Sequence, residues 1–287
     1  MSWDPILHGT IFFGALLPLT ISLGMGLLGR PLAGVILAVA STSFILFGMP
    51  SPPWTSDDYA VVWIGALIAI SLVTSRFDQR GRWWDFLVGT VVFSVLAWVF
   101  YPAWLASDGG LLKKLMLSVL VGASVPAFRL ACSGLCGGAG PLHPVLPSAL
   151  LPAAVGTSVL LVLGGSIQFG QAAGAVASGL GGLCLAMLIR PQGVSSAAIT
   201  RIAGFCGGFL LVLAWGGWLF AEIEPLSAVL VLASPAPALF AGKVDPSAGR
   251  VFWRLFRDSA FAGLLAAPVL IWVGWHYLQA LSASEGY

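Results

Sequence analysis

Ten apolar runs follow one another along this chain, joined by short connections. A helix that crosses a bilayer needs about 20 mostly apolar residues, with a range of roughly 17 to 25. On that rule the runs lie at 6–28, 32–49, 59–75, 86–106, 111–131, 145–163, 167–189, 202–221, 226–242 and 260–279. No soluble domain has the interior to hide them all. Charge argues the same way: only 8% of the 287 residues are charged, against roughly 25% in a soluble protein. The expected fold is all-α, a polytopic transmembrane helical bundle of about ten membrane-spanning helices with short loops. Residues 1–287 read as a single integral membrane domain, since no connection is long enough to fold on its own. The start, Met-Ser-Trp-Asp-Pro, lacks the basic stretch that opens a secretory leader, so the first run reads as a retained helix.

Lysine and arginine set the orientation, because basic residues collect on the cytoplasmic side. With the N-terminus outside, the inner connections hold Arg30, Arg76, Arg80, Arg82, Arg129, Arg190, Arg201, Lys243, Arg250, Arg254 and Arg257. Only Lys113 and Lys114 stay outside. The expectation is a multi-pass protein of the cell membrane with both termini on the non-cytoplasmic side. Arg76, Arg80 and Arg82 lead into the fourth run beside Trp83 and Trp84. Arg250, Arg254 and Arg257 lead into the tenth beside Phe252, Trp253 and Phe256. Cations mixed with aromatic rings suit the inner headgroup layer, where lipids are anionic, so these six arginines are expected to contact lipid.

Packing is legible in the seventh run. Read as a helix, it puts Gly170, Gly174, Ser178 and Gly182 on one line at four-residue spacing. Such a line has almost no side-chain bulk, and a neighbour can approach backbone to backbone. Near its outer end, Gln168 and Gln171 stand one turn apart and could bond across helices or line a polar path. In the ninth run, Ser234-Pro235-Ala-Pro237 removes two backbone donors and should kink or break the helix. Ser234, Pro235 and Pro237 are therefore candidates for the same path, because transporters expose backbone to solutes at broken helices. Cys132 to Pro147 is too rich in glycine and proline to stay helical, yet carries no charge.

Chemistry is sparse. His8 and His276 fall on the outer side at similar depth and could ligate a haem iron across the bundle. Cys132, Cys136 and His143 offer three soft ligands for a metal, but zinc ordinarily takes a fourth. Neither set requires a cofactor, and none is assigned. Ser195 and Ser196 have no arginine between them to hold a phosphate. No catalytic motif is present, so the chain is not expected to be an enzyme. On the helix bounds above, every charged residue lies in a connection or near a helix end. Ion-coupled pumps ordinarily carry charge at mid-depth, so an ion pump is disfavoured.

Two readings follow. The first is a non-catalytic structural or accessory subunit of a larger membrane assembly, with membrane lipids and other membrane subunits as partners. A net charge of +2 gives no reason to expect nucleic acid. The alternative is a small permease or exporter of a neutral or apolar molecule. In size, about ten helices in 287 residues resembles the drug/metabolite exporters, although those keep both ends inside.

Overall fold

A computed structural model describes residues 15–48, 56–74, 81–101, 110–137, 147–190, 194–221, 223–238 and 251–284. Among these residues all regular structure is helical. In chain order the α-helices are α1 (Leu17–Leu27), α2 (Pro31–Phe47), α3 (Ser56–Thr74), α4 (Gly81–Val99), α5 (Gly110–Gly137), α6 (Leu151–Leu163), α7 (Ile167–Ile189), α8 (Ser196–Phe220), α9 (Pro225–Leu232) and α10 (Val251–Ser284). A short 3-10 turn, Pro147–Leu150, feeds directly into α6. The all-α expectation holds, and each apolar run overlaps one of these helices. Four stretches are long and apolar enough to cross a membrane: Gly110–Gly134, Ile167–Ile189, Ala197–Phe220 and Val251–Gln279. Other apolar helices, such as Leu17–Leu27 and Pro147–Leu163, are shorter.

Local chemistry explains where the helices begin. α1, α2, α6 and α9 carry proline in their first turn. There the missing N–H costs nothing and the fixed φ suits the helix. α7 and α8 are capped instead by hydroxyls: Ser166 Oγ accepts from Phe169 N, and Ser195 Oγ accepts from Ala198 N.

Several boundaries differ from the apolar runs. α5 continues to Gly137 rather than 131, so Cys132–Gly137 is helical where its glycines predicted otherwise. The prolines fall only after it, and Cys132 and Ser133 pack on Gly207 and Gly204 of α8. Residues 138–146 of that stretch lie outside the described residues, and α8 begins at Ser196 rather than 202. α4 begins at Gly81 rather than 86 and takes Asp85 into the helix. α10 begins at Val251 rather than 260 and takes in Arg254, Arg257 and Asp258. α9 stops at Leu232 rather than 242, because Pro235 and Pro237 cannot continue it and residues 233–237 turn instead. The charges consequently do more than mark where the chain emerges. Asp58, Asp85 and Asp258 are all buried within protein. Hydropathy places a helix end at a charge, whereas a charge with a partner can ride inside.

Contacts fix the relative directions of the helices. α4 and α5 are antiparallel, with Ser94 against Gly122, Gly89 against Pro126 and Asp85 against Arg129. α6 and α9 are antiparallel, with Gly164 against Ile223 and Gly156 against Val231. α1 and α7 run parallel, with Ser22 at Gly179 and Gly26 at Ala186. α8 touches α2, α3, α5, α6, α7 and α9, and Phe205 and Phe209 on it are fully buried beside Tyr59 and Trp63 in the main core. α7 and α8 thus form the centre, and α10 lies at the edge.

Candidate functional site

The small-residue line on α7 serves two neighbours. A Cβ at Gly170 would strike Val162 and the Ser158 carbonyl on α6. A Cβ at Gly182 would lie 2.5 Å from the Leu19 carbonyl oxygen on α1. Gly174 and Ser178, between them, are half-buried. Each close approach is locked by a hydroxyl: Ser158 Oγ donates to Gly170 O at 2.7 Å, and Ser22 Oγ donates to Gly179 O at 2.6 Å. Such bonds are possible because glycine leaves the backbone carbonyl open to a neighbouring helix.

Gln168 is exposed, with Nε2 within 3.5 Å of Leu46 O at the end of α2. Gln171 is half-buried one turn on. The helix break lies elsewhere, where α6, α9 and α10 meet. Ser234 and Pro235 are buried there and Pro237 is half-buried. Ala149, Ala238 and Ala262 form one small buried cluster, joining the 3-10 turn, the end of the break and α10. Ser148 and Ser234 are almost completely buried, and neither hydroxyl has a hydrogen-bond partner among the described residues. Asp258, 2% exposed, stands one turn before Ala262 and accepts from Arg257 Nε and Nη2 at 3.2 Å.

The helix registers order these groups by depth. Antiparallel pairing of α6 with α9 puts Ser234 level with Ala153. The Ala149–Ala262 cluster puts Asp258 near the start of the 3-10 turn. At the other end, Glu224 and Ser227 begin α9 beside Gly164 and His276. Glu224, Ser227, Ser234, Ser148 and Asp258 therefore follow one another in depth over about 25 Å at 1.5 Å per helical residue. That is most of a hydrocarbon layer about 30 Å thick. The apolar residues 228–233 interrupt this polar column between Ser227 and Ser234.

A recess of about 260 Å³ opens at the Glu224 end of the column, between α6, α9 and α10. Its floor is apolar, with Leu160, Leu163 and Ile223. Glu224 and Ser227 lie on one side, and Trp272, His276 and Tyr277 on the other. His276 packs against Trp272 with ring centroids 4.3 Å apart.

A separate ion pair joins α4 and α5. Arg129 Nη1 donates to Asp85 Oδ1 at 3.0 Å, and both side chains are largely buried. Arg129 lies along α8, where Gly204 and Gly208 leave room for it. On the same α4–α5 seam, Thr90, Ser94 and Ser118 bury hydroxyls without partners among the described residues. Both helices continue through this seam, although Pro126 removes the donor that would pair the Gly122 carbonyl beside Ser94.

The other sequence candidates are placed as follows. Cys132 is a buried thiol packed on Gly207. His8, His143, Arg76, Arg80 and Arg250 lie outside the described residues, as do the side chains of Cys136 and Arg82. Among the described residues, no three His, Cys, Asp or Glu side chains are grouped to hold a metal ion. Arg254 and Arg257 are half-buried on α10. No family, curated protein or solved structure matches this chain.

Proposed function

We propose that this chain is a multi-pass membrane permease for a small organic solute. In this reading all ten helices belong to the bilayer, both termini are non-cytoplasmic, and the solute moves along the column from Glu224 to Asp258. The observation that carries it is a pair of buried hydroxyls unpartnered among the described residues, Ser234 at the break after α9 and Ser148 in the 3-10 turn that opens α6. An unsatisfied buried hydroxyl costs about 1–3 kcal/mol. Interrupted helices around buried polar groups are how transporters present a site at mid-depth. Catalysis has no part in this reading.

The test is accessibility together with flux. In proteoliposomes, a water-soluble thiol reagent should modify S234C beyond the labelling of the unchanged protein. Modification should then slow the flux of a panel of neutral and amine-bearing solutes. Protection of S234C from reagent on both faces, with flux no faster than in protein-free vesicles, would remove the proposal.

A non-catalytic subunit is the second reading, favoured by α10. Few of its residues are buried: Leu255, Asp258, Ala262, Ala266 and Val269. Its outward face carries Phe252, Trp253, Phe256 and Trp275, which another membrane subunit could cover. Extraction in mild detergent should then bring out a stoichiometric partner. A stable lone monomer that moves a solute would count against it.

A further inference from the structure

The recess at the Glu224 end combines three features that ordinary interfacial packing does not bring together. The first is a carboxylate with no opposing cation. Among the described residues no lysine or arginine lines the recess, and Glu224 is exposed to it. Glu224 Oε2 accepts from Ser227 Oγ at 2.9 Å, and Oε1 has no partner among the described residues. The second is a bank of rings on one face of α10: Trp272, His276 and Tyr277. The third is the apolar floor beneath both.

A carboxylate facing aromatic rings over an apolar floor suits one kind of ligand. Anions are repelled by Glu224, and a wholly neutral molecule gains nothing from it. An ammonium group is attracted by the carboxylate and by ring faces within about 6 Å, while an attached apolar body covers the floor. The protein already uses this chemistry once, at Lys114, whose Nζ sits 4.5 Å from the centroid of Trp98 and 5.3 Å from that of Tyr101. Size agrees as well. A dry cavity of about 150 Å³ holds benzene, so 260 Å³ accepts a ring or short chain bearing a substituted ammonium. Tryptophan and tyrosine also line membrane interfaces with no ligand at all. That alone would not gather them around an unpaired carboxylate in a recess.

We infer that this recess is a binding site for an ammonium-bearing molecule with an apolar body. It deepens the permease reading by naming the substrate class, and rests on that reading only for the purpose of binding. The ammonium could belong to a free solute or to an aminophospholipid headgroup.

The test uses the full chain in non-ionic maltoside micelles, titrated calorimetrically with benzyltrimethylammonium and with its anionic counterpart, benzylsulfonate. Saturable binding of the cation at least about tenfold tighter than of the anion is expected, the scale of one charge-assisted contact. Glu224→Gln should weaken cation binding about tenfold. Trp272→Leu should weaken it several-fold without lowering the melting temperature, since Trp272 is 60% exposed. No saturable binding, equal affinity for cation and anion, or unchanged affinity in both variants would overturn the site.

Added phosphatidylethanolamine that displaces the probe, where phosphatidylglycerol does not, would assign the site to a headgroup. Failure of both lipids to displace it would assign the site to a free solute. Either result keeps the ammonium chemistry. Binding without flux would remove the permease and leave the site. Flux without binding would do the reverse.

Discussion

α7 and α10 are each long and apolar enough to cross a membrane, yet in an 18-residue apolar window of each, 67% of the first is buried and 11% of the second. Apolar character alone does not decide which helix goes inside. In lipid a leucine gains little by moving from an acyl chain to a neighbouring helix, so burial is won by fit. α7 offers Gly170, Gly179 and Gly182, and its neighbours close on its backbone. α10 offers Phe252, Trp253, Phe256 and Trp275 outward. It touches the bundle through a narrow stripe of Leu255, Asp258, Ala262, Ala266 and Val269, at the three- and four-residue spacing of one helix face. Side-chain volume separates these two helices.

One substitution made in both helices would break or sharpen this contrast. Gly182→Ala on α7 places a Cβ 2.5 Å from Leu19 O and 3.0 Å from Leu23 N, both backbone atoms that cannot rotate away. It should destabilise the protein by about 2–3 kcal/mol, the scale of overpacking, as read from thermal unfolding in detergent. An unchanged melting temperature would mean that α1 and α7 separate easily. Ser22→Ala removes the bond to Gly179 O and should cost about 1 kcal/mol. A neutral result in the same assay would leave the locking to shape alone. On α10, a Cβ at Gly274 meets nothing within 4 Å. Gly274→Ala should raise stability by roughly 0.5 kcal/mol through helix propensity. A loss there would mean that the outer face is covered in the intact protein.

The sequence made the helix inventory legible because ten runs of membrane length leave few alternatives. Ile167–Ile189 coincides with the run read at 167–189, since a glycine pair and a serine cap mark its start and Arg190-Pro191 follows its end. The α9 break was legible too, because Pro235 and Pro237 act locally. Where hydropathy misplaced the ends of α4 and α10, the reason lay in partners. Asp85 stays inside α4 because Arg129, 44 residues away, meets it. A single sequence shows no such pairing, although a cation such as Arg129 within an apolar run is its trace. The polar column was hidden for the same reason. Ser148, Ser234 and Asp258 belong to three separate segments, and only the α6–α9 register and the alanine cluster give them a common axis. Gln168, grouped with Ser234 on polarity, sits instead beside α2.

The parallel pairing of α1 with α7 has a consequence for how the chain is made. Ser22 finds its acceptor 157 residues downstream, and at about 5–20 residues per second the ribosome needs roughly 8–30 s to supply it. α6 and α7, by contrast, are joined through Gly165 at φ 89° and can pair almost as soon as both have emerged. Through most of that interval, on the proposed membrane reading, α1 waits with the face that carries Ser22 and Gly26 uncovered and its hydroxyl idle. A factor that shelters unfinished membrane proteins would find its client there, and the hairpin would have no need of it.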